Sequence, residues 1–143
     1  MVQLGANITD ANLRKAFFGL TGYVAACTAR HLTRTLPAVV TGHWMSQAAF
    51  AIAKVYDQVP PSESLVYSWP QDLYPPDIVF FMNSKRKKER RRDVANPEFL
   101  EKFVQVYRNW RKPPVFEISN TYQYEAMANK MIEIINQQFQ GNY

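Results

Sequence analysis

Between Asp10 and Arg34, apolar residues return at three- and four-residue intervals. Leu13, Ala16, Phe17, Leu20, Tyr23, Val24 and Cys27 therefore share one face of a predicted helix. Thr9 is a suitable N-cap, and Pro37 forbids continuation. Ala38 to Thr41 then reads as a short buried strand ending at Gly42. A second helix is expected from Met45 to Tyr56, small and apolar through Ala48, Ala49, Ala51 and Ala53. Val59 to Ser68 reads as a loop. Trp69 to Pro76 reads as an ordered corner, because prolines near both ends restrict the backbone.

The strongest strand signal runs from Asp77 to Met82, where Ile78, Val79, Phe80 and Phe81 are consecutive. An apolar run without alternation suits a strand covered on both faces, as in a parallel sheet between helices. A charged helix from Ser84 to Arg92 and another from Pro97 to Trp110 are expected next. Pro114 to Ile118 forms a third strand, and Tyr122 to Phe139 a last helix with Ala126, Met127, Met131, Ile134 and Ile135 inward. Helices alternating with strands predict an α/β protein with a parallel sheet.

Composition narrows this picture. A chain of 143 residues suits one domain, residues 1–143, and 47% hydrophobic content with 14% aromatics supports a packed core. One cysteine, Cys27, excludes an internal disulfide and any zinc site built from several cysteines, and fits a reducing compartment such as the cytoplasm. On an apolar helix face Cys27 reads as packing rather than as a nucleophile. Charged residues interrupt every apolar stretch well short of a bilayer span, and residues 1–7 carry no recognisable targeting segment. The net charge of +5 is local: Lys85 to Arg92 holds seven basic and one acidic side chains, while the remainder carries ten basic and eleven acidic. Such a run reads first as a solvated face and second as a contact for phosphate-rich or acidic partners. Aromatics do not interleave with it, which counts against single-stranded nucleic acid.

The segment Tyr67-Ser68-Trp69-Pro70-Gln71-Asp72-Leu73, followed by Pro76-Asp77-Ile78-Val79, resembles the mitochondrial UMP-CMP kinase branch of the thymidylate kinase family. Trp44 to Ala53 and Phe17-Phe18-Gly19-Leu20 with Tyr23 carry the same resemblance, which covers nearly the whole chain from Leu13 onward. It implies part of a P-loop-kinase-like three-layer α/β/α fold and a mitochondrial setting. It also implies that Tyr23, His43, Trp44 and Gln47 are remnants of the acceptor-nucleotide site, and that Arg90, Arg91 and Arg92 stand near the lid.

The chemistry of the family does not follow. Phosphoryl transfer needs a phosphate cradle, a cation and a held acceptor. The family builds the cradle from a G-x-x-x-x-G-K-[ST] loop, and here no glycine precedes a lysine. The family's Asp-Arg pair, which organises magnesium and grips the acceptor phosphate, corresponds to Thr41 and Gly42. A lid register without gaps puts Glu89 where the family has arginine. By the family's strand order, the strand carrying the phosphate loop would lie between Ala38–Thr41 and Asp77–Met82. Its loss leaves those strands to pair directly or to accept a strand from a partner chain.

The function expected first is a degenerate nucleoside-monophosphate kinase domain, leaning non-catalytic, without cofactor, serving as a structural or interaction subunit. Two alternatives stand beside it. One is the C-terminal part of a working kinase for dUMP, dCMP or dTMP, using ATP and magnesium. The other is a module that binds nucleic acid or acidic partners through Lys85–Arg92. His31 and His43 lack companions at metal-ligand spacing, and His43 reads as a packed histidine before a base-binding one. Trp69, Trp110, Tyr107 and Phe99 read as core before surface.

Overall fold

A computed structural model describes residues 9–33, 36–83, 97–119 and 123–140. The charged helix expected from Ser84 to Arg92 lies outside them, as does Arg34.

The first helix, α1, is Ala11–Leu32. Its start is fixed one residue later than Thr9 would have it: the Leu13 N–H donates to Asp10 Oδ1 at 2.8 Å, so Asp10 is the cap. The face that periodicity marks as apolar points outward. Leu13, Leu20 and Val24 are exposed and so is Cys27, whose reading as core packing is thereby corrected. What faces the body is the small side, Gly22 and Ala26. A Cβ on Gly22 would stand 3.0 Å from the Trp44 nitrogen, so this contact brings backbone against backbone.

Helix α2, Trp44–Val55, buries Met45, Ala49, Ile52 and Ala53, the spacing of a single helical stripe. A 3-10 turn at Leu65–Tyr67 follows the loop. There Tyr67 donates its hydroxyl to the Pro60 carbonyl at 2.9 Å. Asn109 Nδ2 donates to the same oxygen at 2.9 Å, tying the loop to the next helix.

Strand β1, Val79–Asn83, pairs in parallel with β2, Val115–Ser119, in the register Val79↔Val115 to Asn83↔Ser119. Between them runs α3, Pro97–Asn109, the helix of a β–α–β unit. Phe81 lies flat on Tyr107 of α3, ring centroids 4.2 Å apart at 11°. Glu117 accepts Arg108 Nε at 2.8 Å, Arg108 Nη2 at 3.1 Å and Asn83 Nδ2 at 2.6 Å, joining both strands to α3. The core gathers Met45, Ala49, Ile52 and Ala53 of α2 with Tyr67, Val106, Tyr107 and Trp110. The last helix, α4, is Tyr124–Phe139. It buries Met127, half-buries Met131 and Ile134, and leaves Ala126 and Ile135 exposed, against the expectation that all five face inward.

The molecule is thus mixed α/β with a parallel sheet, but the described sheet has two strands rather than three. Residues 38–41 form no strand, and Val39 is 96% exposed. An extended segment becomes a strand only by trading hydrogen bonds with a neighbour. Among the described residues β1 pairs with β2 alone, so the direct re-pairing of the two strands does not occur. Among the same residues, no helix is long and apolar enough to cross a membrane.

Candidate functional site

Three segments meet at one corner. The backbone there turns where the Leu73 N–H donates to the Pro70 carbonyl at 3.2 Å. The Trp69 indole Nε1 closes the turn by donating to the Leu73 carbonyl at 2.7 Å, above a buried Leu73 side chain. That bond fixes the plane of Trp69.

His43, just before α2, stacks on this plane with centroids 5.3 Å apart at 30°. Trp44 meets it edge-on at 5.1 Å, and Trp44 in turn meets buried Trp110 at 6.1 Å and 85°. From α1, Tyr23 donates its hydroxyl to Asp72 Oδ1 at 3.3 Å, and the Arg30 guanidinium lies 5.9 Å from the Tyr74 ring centre. Trp69, Trp110, Tyr107 and Phe99 are all buried or half-buried parts of the core or its margin.

The electrostatics of the corner are subdued. Burial pushes the His43 imidazole below its ordinary 6.5, so the ring is neutral at pH 7. Its Nδ1 is buried without a hydrogen-bond partner. Desolvation, followed by the facing Asp72 carboxylate, raises the Tyr23 hydroxyl above its ordinary value, so it stays a donor. His43 covers one face of Trp69.

Of the residues expected in an acceptor site, Tyr23, His43 and Trp44 converge on this corner. Gln47 lies one turn along α2 with an exposed side chain. Arg90, Arg91 and Arg92 lie outside the described residues, and so does the wider run Lys85–Arg92. Trp69 and Asp72 complete the corner, and neither was singled out as a site residue. Their signal is the Trp-Pro-Gln-Asp-Leu segment itself, since its turn aims both side chains back at α1 and α2.

Residues 41 and 42 directly precede His43 of the corner. Thr41 and Gly42, at its approach, are exposed and carry a hydroxyl and no side chain. Gly42 adopts a left-handed φ of +71°, which an L side chain takes at a cost of about 1–2 kcal/mol. A surface hollow lies elsewhere, on α3, lined by Leu100, Glu101, Val104, Gln105 and Arg108.

Fold and site together define a mixed α/β protein with a parallel β–α–β unit and a closed aromatic corner. No family model matches the chain, and neither a curated protein nor a solved structure gives a significant match.

Proposed function

We infer that this chain is a degenerate nucleoside-monophosphate kinase-like domain that has lost phosphoryl transfer and serves as a structural or interaction subunit of a larger assembly. By the resemblance of its Tyr67–Leu73 and Trp44–Ala53 segments to the thymidylate kinase family, that assembly is mitochondrial.

The observation that carries the reading is the unfinished sheet. Parallel strands are stable in sheets flanked by further strands and covered on both faces. Among the described residues β1 pairs with β2 alone, and residues 38–41 pair with no strand. An added strand from another chain would supply the missing ladder, a common way for one protein to hold another. The aromatic corner then acts as a brace, holding α1, α2 and the Trp69 turn in fixed relation.

The test of lost catalysis is a phosphate-transfer assay on the purified chain with ATP and magnesium against CMP, UMP, dCMP, dUMP and dTMP. No turnover is expected. The double variant Thr41→Asp, Gly42→Arg is expected to stay inactive too, because no phosphate cradle accompanies the restored pair. Turnover by the natural chain would instead make it the catalytic part of a kinase.

A further inference from the structure

We propose that α1 is the interface between two copies of this chain, packed antiparallel about a two-fold axis at Leu20.

At 3.6 residues per turn, Leu13, Phe17, Leu20, Val24 and Cys27 lie within about 40° of one line along the helix. Gly22, Ala26 and Ala29 lie on the opposite side. The small side is the one turned to the body, with Gly22 against Trp44 and Ala26 buried. The large side is turned away: Leu13 is 59% exposed, Leu20 62% and Val24 48%, with Cys27 exposed and Phe17 half-buried. This is the reverse of what a helix on a lone protein's surface does, where the apolar stripe faces the core.

The spacing of these five, alternating four and three, is that of a seam between paired helices. No charged residue falls on it from Leu13 to Cys27, so two copies meet without repulsion. The seam is also matched to itself when reversed. Leu20 sits at its middle and faces Leu20 of the second copy. Phe17 falls beside Val24, and Leu13 beside Cys27, which pairs a larger side chain with a smaller one at each step. The antiparallel sense sets the helix ends against each other, with Asp10 at one end and Arg30 and His31 at the other. The helix dipoles favour that arrangement.

The area is sufficient. The exposed parts of Leu13, Leu20, Val24 and Cys27, with the edge of Phe17, offer roughly 400–500 Å² on each copy. With flanking positions, a pair buries on the order of 1,000 Å², the floor for a specific interface. A two-fold arrangement uses the same patch on both copies and closes on itself, leaving no open end for fibre growth.

Sedimentation equilibrium of the purified chain tests this directly. The natural chain is expected to give twice the monomer mass at roughly 100 µM. Leu20→Glu and Leu20→Lys are each expected to weaken pairing at least about 100-fold, because each places two like charges at the axis. Their helical circular dichroism should match the natural chain, since Leu20 touches solvent rather than core. Leu65→Glu, at an 86% exposed position elsewhere, should leave the dimer intact. Mixing the Glu and Lys variants should restore the dimer, since opposite charges then meet. A natural chain that sediments as a monomer overturns the proposal and assigns the seam to a different polypeptide. A dimer that survives both single variants, or a mixture that stays monomeric, overturns it as well.

Discussion

Two glycines on α1 show how a single methyl group reports the packing around it. A Cβ on Gly22 meets Trp44 backbone at 3.0 and 3.1 Å, whereas one on Gly19 meets nothing within 4 Å. Gly22→Ala is therefore expected to destabilise the chain by about 1–3 kcal/mol through overpacking. Gly19→Ala should stabilise it by about 0.5–1 kcal/mol through helix propensity. Denaturant unfolding of both variants checks the pair. His43 makes a second prediction. Its folded pKa lies below 6.5 because of burial, so on acidification the unfolded chain takes up a proton before the folded chain does. The His43 contribution is thus fully present above about pH 6.5 and is lost as the pH falls toward the folded value. His43→Phe keeps a ring on Trp69 but cannot titrate, so its stability should fall less between pH 6.5 and about pH 5. Equal slopes in the two proteins would refute this. The packing of His43 was legible in sequence, though on the ground of a strand end at residues 38–41 that does not form; the ring packs on Trp69 instead. The Tyr23–Asp72 bond was not, since 49 positions separate its partners and only the Trp69 turn brings them together.

At the scale of elements, periodicity identifies which residues share a face but not which way that face points. In α2 both readings agree, because Met45, Ala49 and Ile52 are the apolar stripe and also the core. In α1 they disagree, because Gly22 permits a closer approach than any side chain on the opposite face would. Strand β1 was legible from its apolar run of four, and β2 because Val115 and Phe116 repeat that signal beside it, but β1 is half-buried with Met82 exposed rather than covered on both faces. Residues 38–41 carry the same local pattern and form no strand, since pairing is a property of two segments and not of one. The core assignment predicts that Met45→Ala, at a side chain 2% exposed, costs about 2–5 kcal/mol. Leu65→Ala, on the exposed 3-10 turn, should stay within about 0.5 kcal/mol of the natural chain. Comparable losses at both positions would mean that the core lies elsewhere.

Among the described residues the molecule is a β–α–β unit braced by an aromatic corner, with β1 paired to β2 alone and an apolar face of α1 exposed. Stability of a single domain amounts to roughly 5–15 kcal/mol, and each buried unpaired backbone group removes about 1–3 kcal/mol of it. Among the described residues the sheet has two strands, and a further strand from another chain would add backbone hydrogen bonds to it. None of this requires a charged pair at residues 41 and 42, so Thr41 and Gly42 are compatible with the fold. If the chain is a subunit of a larger assembly, its native mass in a gentle cell extract, with every stoichiometric companion identified, reveals it. The expected result is a large particle that holds this chain together with a different polypeptide, in which the backbone amides of β1 exchange more slowly than in the purified chain. A particle no larger than one or two copies of this chain, with β1 exchanging as it does alone, would contradict it.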